Sequence, residues 1–204
     1  MKIFSMKNNM IIGIGELLWD VFPEGKVLGG APANFAYHVS QLGFEGYAVS
    51  AVGNDKQGTG IYEEMAARNM KHQVEMVAFP TGTVQVTLDE KKVPQDEICE
   101  NVAWDNIPFS TEVEALARRT QTVCFGSLAQ RSEVSRETIK KFLNTVPTTA
   151  LKIFDINLRQ HFYTPEIIQD SLQQANILKI NDDEVLVMKK MFHWESESET
   201  EVCK

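Results

Sequence analysis

Residues 29–36, Gly-Gly-Ala-Pro-Ala-Asn-Phe-Ala, decide how this chain is interpreted. Gly29 and Gly30 allow a sharp turn and a close approach between the backbone and a ligand. Pro32 stands where a helix would begin, a position that tolerates a residue without an N–H group. Asn34 falls in the first turn of that helix, and its amide can both donate and accept hydrogen bonds. The stretch therefore predicts a small polar site beside a helix N-terminus, which suits a neutral ligand rich in hydroxyl groups.

Composition and charge narrow the class of protein. The chain has 204 residues, of which 43% are hydrophobic and 24% are charged, as is ordinary for a globular protein with a buried core. The net charge of −8 argues against nucleic acid and anionic membranes as partners, although an anionic nucleotide could still bind through local N–H groups. We expect no membrane span and no signal peptide. Widely spaced cysteines without a C-x-x-C motif predict reduced thiols and a cytoplasmic location: Cys99, Cys124 and Cys203.

Apolar runs alternate with helical patterns along most of the chain, which predicts an α/β fold with a mostly parallel sheet and helices on both faces. The first buried strand is expected at 11–18. Residues 72–104 differ, because apolar and polar residues alternate there, as is typical of a sheet with one face in water. We therefore expect part of this region, together with residues 21–28, to form a small antiparallel sheet that projects from the main body as a lid.

The stretch at 29–36, followed by Gly43 and Gly53, resembles the first signature of the ribokinase-like (PfkB) carbohydrate kinases. The resemblance implies a ribokinase-like open sheet, mostly parallel, with helices on both faces and a small β-sheet lid. A dinucleotide fingerprint is absent, because Leu18 stands where its third glycine would be. A P-loop is also unsupported, because Thr59 stands where its lysine is needed.

Three further segments strengthen the resemblance. Asp155-Ile-Asn-Leu-Arg159 is similar to the D-x-N-x-R segment of the fructokinase-like branch, although an Asp–Arg surface pair would have the same composition. Residues 125–131 are similar to a segment of that branch as well. Asn181-Asp-Asp-Glu184 resembles the N-x-x-E segment that supports the magnesium and phosphate environment of the family.

The residues expected at the site follow strands, because ligands of open parallel sheets bind beyond the carboxyl ends of the strands. The resemblance implies that the sugar is bound by six residues: Asp20, Gly29, Gly30, Asn34, Ser127 and Arg159. It implies that three more belong to the environment of the phosphate and the metal: Asn157, Asn181 and Glu184. No residue is expected to ligate a metal directly.

The residues alone leave other interpretations open for several of these positions. Asp20 also suits a helix cap or a surface turn, and Ser127 also suits a turn that leads into a helix. Arg159 could bind a phosphoryl oxygen instead of a sugar hydroxyl, because its planar guanidinium suits phosphate. Asn181 and Glu184 have the spacing of a capping box at a helix start. Capping and a role near the phosphate are compatible with each other.

The resemblance implies a kinase that transfers the γ-phosphoryl group of ATP to a hydroxyl group of a sugar, with Mg²⁺ and with fructose as the first candidate. The catalytic aspartate of the family lies in a Gly-Ala-Gly-Asp segment near its C-terminus, and this sequence contains no such segment. We therefore expect no catalytic residue among residues 1–204. They would form one domain that is C-terminally incomplete, inactive alone, and unstable or prone to aggregate because a strand edge lies uncovered.

Two other functions stay open. One is a non-catalytic module that binds sugar or regulates a partner, and the other is a nucleoside kinase of the same fold. Because relatives often pair through the lid, the resemblance also allows a homodimer.

Overall fold

Strands and helices alternate along residues 10–88 and 94–194, which the computed structural model describes. The strands are β1 (Met10–Ile14), β2 (Leu18–Phe22), β3 (Gly25–Gly29), β4 (Glu45–Gly53), β5 (Lys71–Val77), β6 (Thr83–Leu88), β7 (Pro94–Ile98), β8 (Thr122–Gly126), β9 (Leu151–Asp155) and β10 (Ile177–Lys179). The α-helices are α1 (Ala31–Gln41), α2 (Lys56–Ala67), α3 (Thr111–Arg119), α4 (Glu133–Thr145), α5 (Pro165–Gln174) and α6 (Asp182–Met191). Side chains that accept a hydrogen bond from a first-turn N–H group begin four of the helices: Asp55, Ser110, Thr164 and Asn181.

The larger sheet has six strands in the order β10-β9-β8-β1-β4-β5, and all neighbouring strands run parallel. Its two faces are covered by separate apolar clusters. On β4, Val49 belongs to one cluster, and Ala48 and Val52 belong to the other, because successive side chains of a strand point to opposite faces. This confirms the predicted α/β fold with helices on both faces of a parallel sheet.

The smaller sheet has four strands in the order β3-β2-β6-β7. Strands β2 and β3 form an antiparallel hairpin, and β6 and β7 are also antiparallel, but β2 and β6 pair in parallel. The sheet is therefore mixed, and the prediction that it is antiparallel throughout is wrong. Two hairpins that lie side by side produce this arrangement. The alternation of apolar and polar residues is the same whether neighbouring strands pair in parallel or antiparallel, so it does not predict how the two hairpins pair.

Two predicted boundaries also differ from the structure. Residues 72–77, at the start of the region predicted to contribute to the lid, belong to β5, an edge strand of the larger sheet. An edge strand that is covered only in part alternates between buried and exposed residues much as a lid strand does, and only Val74 of β5 is fully buried. The predicted strand at 11–18 is two strands, because β1 ends at Ile14 and Leu18 begins β2 in the other sheet. The residues between them stay buried, so the apolar run continues while the chain changes direction.

No helix in the described part of the chain is long and apolar enough to cross a membrane. Cys99 and Cys124 are free thiols, and Cys203 lies outside the described residues. Burial raises the pKa of the Cys124 thiol to about 12, so this group stays protonated and unreactive.

Candidate functional site

A cleft of about 430 Å³ opens where the carboxyl ends of the central strands meet the smaller sheet. The smaller sheet supplies an apolar wall that includes Leu18, Val84 and Ile98. The polar lining comes from β2, the segment after β1, the first turn of α1, the end of β9 with the loop after it, and the end of β10. Of the nine residues predicted for the site, five line this cleft: Asp20, Gly30, Asn34, Asn157 and Arg159.

The glycine pair shapes one wall of the cleft. A Cβ atom on Gly29 would lie 2.2 Å from Oδ2 of Asp20, so the missing side chain leaves room for that carboxylate. Gly30 has a φ of +109°, and a Cβ atom there would lie 2.3 Å from the carbonyl oxygen of Glu16. Only glycine fits this position without strain. Helix α1 starts directly afterwards, and its first turn directs the exposed Asn34 to the cleft.

Asp20 lies on β2 of the smaller sheet, not at the end of the first central strand as expected. Its side chain is half-buried and lines the cleft from the side of the lid. The predicted proximity of Asp20 to the glycine pair is nevertheless observed, because β2 pairs with β3 and places Leu18 opposite Gly29. The carboxylate thus faces the same space as the amino end of α1.

Glu16 lines the cleft as well, although the sequence interpretation passed over it. Its side chain is buried, Oε1 accepts a hydrogen bond from the N–H group of Ala31 at 3.3 Å, and Oε2 has no hydrogen-bond partner. Burial, with a smaller contribution from the charge of Asp155, raises the pKa of this carboxyl to about 7. The sequence feature that could have identified Glu16 as a site residue is that it is the one acidic residue within the apolar run at 11–18.

Two exposed basic side chains, Arg159 and Lys179, also line the cleft. Nζ of Lys179 donates to Oδ1 of Asp155 at 2.8 Å, and the two residues are direct neighbours in the pairing of β9 with β10. Lys179 was not predicted, because its position depends on the register between these two strands. Arg159, together with Lys179 in its ion pair with Asp155, makes this part of the cleft suitable for an anionic group such as a phosphate.

Ser127, Asn181 and Glu184 do not line the cleft. The buried hydroxyl of Ser127 donates to the carbonyl oxygen of Ile156 at 2.6 Å, so it connects the loops after β8 and β9. Asn181 and Glu184 form the capping box of α6 that the sequence left open as an alternative. Glu184 is buried, and its Oε1 also accepts from the N–H group of Leu158 at 3.0 Å.

Within the described ranges, no three histidine, cysteine or acidic side chains come together in a group that could hold a metal ion. The polar groups of the cleft are instead spread around its rim. Asp20 and Asn34 lie beside the glycine pair, whereas Arg159 and Lys179 reach the cleft from the loop after β9 and from β10. This arrangement can bind hydroxyl groups on one side and a phosphate on the other.

Comparison with known proteins identifies the family. Residues 14–204 match the sequence model of the pfkB family of carbohydrate kinases. An uncharacterized sugar kinase of Pyrococcus horikoshii, PH1459, is 32% identical over 199 residues, which cover 88% of this chain and 64% of that protein. Fructokinase-2 of Zea mays is 24% identical over 210 residues, which cover 90% of this chain and 61% of that protein. The chain thus spans less than two thirds of the length of these relatives.

Solved structures agree with this assignment. The crystal structure of PH1459 superposes with a TM-score of 0.80 at 29% identity, covering 89% of this chain and 66% of that one, and PH1459 has also been solved in complex with ATP. A fructokinase variant from Vibrio cholerae, solved with fructose, ADP and potassium ion, shares the fold with a TM-score of 0.76 at 19% identity. The superposition covers 92% of this chain and 64% of the fructokinase chain. The chain belongs to the pfkB family of carbohydrate kinases.

Proposed function

We propose that this chain carries the sugar-binding part of an ATP-dependent sugar kinase, with fructose as the first candidate substrate. The whole enzyme would transfer the γ-phosphoryl group of ATP to a hydroxyl group of the sugar. The observation that carries this proposal is the single cleft that joins Asp20, Gly30 and Asn34 on one side to Arg159 and Lys179 on the other. One side offers hydroxyl-binding groups, and the other offers positive charge.

The sugar side suits a polyol for chemical reasons. The carboxylate of Asp20 can accept two hydroxyl hydrogen bonds, and the amide of Asn34 can donate one and accept another. Gly30 would offer its backbone to the ligand, and the absence of a side chain at Gly29 leaves room for the carboxylate of Asp20. The apolar wall from the smaller sheet would pack against the carbon skeleton of the sugar.

The phosphate side suits phosphoryl transfer, which requires positioning and neutralisation of charge. Arg159 can bind phosphate oxygens with its planar guanidinium, and Lys179 adds a second positive charge. Mg²⁺ in such sites is held largely by phosphates and waters, and it neutralises the charge that develops on the transferred group. Such binding needs no cluster of carboxylates from the protein. Asn157, from the loop after β9, and Asn181 and Glu184, at the start of α6, would act on the metal through water or phosphate.

We further propose that the described residues are part of one ribokinase-like domain in which the smaller sheet is the lid. Leu18, Val84 and Ile98 of this sheet already line the cleft, and closure over the sugar would exclude water as a competing acceptor. Phe22 and Val27 of the hairpin remain 39% and 50% exposed, which supports a homodimer that forms through the lid. The free thiols support a cytoplasmic location.

Fructose is favoured because relatives at low identity are fructokinases and because the Vibrio cholerae fructokinase was solved with fructose and ADP. The catalytic base is not assigned to any residue of this sequence. A non-catalytic sugar-binding module would use the same cleft, and a nucleoside kinase would differ in the acceptor pocket.

Calorimetric titration of the chain with a panel of sugars and adenosine tests the proposal. We expect saturable binding of fructose that weakens strongly in Asp20→Ala. Tighter binding of adenosine than of any sugar would favour the nucleoside kinase. Absence of binding by any sugar, in a chain that melts cooperatively, would contradict the proposal.

A further inference from the structure

Glu16 occupies an unusual position between the cleft and the start of α1. It lies in the short segment between β1 and β2, and only 2% of its surface is exposed. One carboxyl oxygen is held by the N–H group of Ala31, while the other has no partner in the described structure. A buried polar atom without a hydrogen bond is costly, and one that lines a ligand cleft is explained if the ligand supplies the missing partner.

We infer that Glu16 is a further sugar-contact residue, whose Oε2 binds the ligand as a neutral carboxyl that donates a hydrogen bond to a hydroxyl oxygen. This inference rests on the proposed sugar-binding function and adds to it one residue and one protonation state. Oε1 would keep its bond to Ala31, so the same side chain would fix the sugar relative to the amino end of α1.

The surroundings of Glu16 favour the neutral form. Two carboxylates, Asp20 and Asp155, line the same cleft, and the cations that could offset them, Arg159 and Lys179, are exposed. Burial dominates and raises the pKa of Glu16 to about 7, and the charge of Asp155 acts in the same direction. The backbone N–H groups of Glu16 itself and of Ala31, and the charge of Arg159, lower the pKa by less than burial raises it.

The division of roles also matches the chemistry of a polyol. Each sugar hydroxyl has one proton to donate and lone pairs to accept. The carboxylate of Asp20 can only accept, so it uses the hydroxyl protons. A neutral Glu16 supplies the opposite group, a donor for the lone pairs of a hydroxyl oxygen. A site with both a donor and acceptors forms hydrogen bonds with more of the ligand's hydroxyl groups than a site with carboxylates alone.

Glutamine is the matched substitution, because it keeps the shape, the acceptor for Ala31 and a donor at the Oε2 position, and it does not titrate. The experiment measures the affinity for fructose by calorimetry between about pH 6 and about pH 8.5 for the wild type, Glu16→Gln and Glu16→Ala. Glu63→Gln, an exposed position on α2, controls for the loss of one carboxylate elsewhere. Thermal melting of each variant verifies folding.

We expect wild-type affinity to fall by about tenfold or more across this range as Glu16 loses its proton. Glu16→Gln should match the wild type at the low end and keep that affinity at the high end. Glu16→Ala should bind weakly throughout, and Glu63→Gln should follow the wild type.

Three results would overturn the inference. If the wild type and Glu16→Gln share one pH profile, Glu16 does not contact the sugar as a donor. If Glu16→Gln binds weakly at every pH while wild-type affinity rises with pH, the carboxylate accepts instead. If the folded wild type binds no sugar at any pH, the proposed function fails together with the inference, whereas the first two results leave that function intact.

Discussion

The N–H group of Leu158 donates a hydrogen bond to Oε1 of Glu184, at 3.0 Å. The other oxygen of the same carboxylate accepts from the N–H group of Asn181 at 2.9 Å. Glu184 therefore connects the start of α6 to the loop after β9. Because Leu158 stands between Asn157 and Arg159, the buried carboxylate holds the segment that presents both of these side chains to the cleft.

Substitution of Glu184 should therefore affect both stability and the phosphate side of the cleft. Glu184→Gln replaces a buried acceptor of two backbone N–H groups with an amide that can accept only through one atom. We expect a loss of about 1–3 kcal/mol in the free energy of unfolding, measured with urea. Asp183→Asn, which removes an exposed carboxylate from the same helical turn, should cost less than about 1 kcal/mol. Equal losses in the two variants would contradict the supporting role of Glu184.

Gly30 should be required for stability for two reasons, its positive φ and its close approach to the carbonyl oxygen of Glu16. Gly30→Ala meets both a φ of +109° and a carbonyl oxygen 2.3 Å from the new Cβ, so we expect a cost of about 3 kcal/mol or more. At Gly43 the φ is +85° and an added Cβ atom would have no neighbour within 4 Å. Gly43→Ala therefore measures the cost of the backbone conformation alone, which we expect to be about 1 kcal/mol in the free energy of unfolding. Denaturant unfolding of both variants measures the difference. A smaller loss for Gly30→Ala than for Gly43→Ala would show that the close approach to Glu16 is not required.

The sequence predicted this wall of the cleft well because its determinants are local. Two glycines, a proline and an asparagine fix a turn and a helix start within a few residues, and Gly30, Asn34 and the beginning of α1 lie where they were expected. The D-x-N-x-R segment also reached the cleft, because it directly follows a central strand.

Other features depend on contacts between distant segments, which a single sequence does not reveal. Lys179 reaches the cleft only through the register of β10 on β9. The strand β5 was misplaced because a half-covered edge strand has the same alternation as a lid strand. Glu16 was not predicted because its burial at the cleft depends on packing between distant segments. The role of Ser127 stays a prediction, although its hydroxyl already donates to the carbonyl oxygen of Ile156.

The raised pKa of Glu16 should make stability depend on pH. The pKa rises from 4.5 in the unfolded reference to about 7 in the folded protein, so folding favours the protonated form. Its contribution is fully present below about pH 4.5 and is lost as the pH rises through about 7, a decrease on the order of 3 kcal/mol. We expect this decrease in the free energy of unfolding of the wild type relative to Glu16→Gln. Parallel stability profiles for the two proteins would show that Glu16 titrates normally.

Strand β10 should promote self-association of this chain. It lies at the edge of the larger sheet, and Ile177 and Leu178 are 43% and 38% exposed. An exposed apolar edge strand offers unpaired backbone groups to another chain. We expect Ile177→Lys to shift sedimentation toward smaller species, whereas Leu42→Lys, at an exposed apolar residue just after α1, should have no effect. Unchanged self-association in Ile177→Lys would place the contact elsewhere.

Asn34→Ala should weaken sugar binding without destabilising the protein. The side chain is exposed, and no hydrogen bond to another described side chain or backbone group fixes its amide, so stability should stay within about 0.5 kcal/mol of the wild type. Loss of the amide should cost about 1–3 kcal/mol in the binding of fructose, because hydroxyl groups of the bound sugar lose their partner. Gln41→Ala, at the other end of α1, is the control and should bind normally. Unchanged affinity in Asn34→Ala would remove this residue from the site.

The central claim is that the cleft beside the glycine pair is where a sugar binds. Amide chemical shifts of the ¹⁵N-labelled chain, followed by NMR during titration with fructose, test it most directly. We predict that the largest shifts occur at Asp20, Gly30, Ala31 and Asn34. The amides of Gly43, just after α1, and of Gly46, on β4, should stay unchanged. Saturable shifts confined to another part of the surface, with the amides around the glycine pair unmoved, would contradict the account.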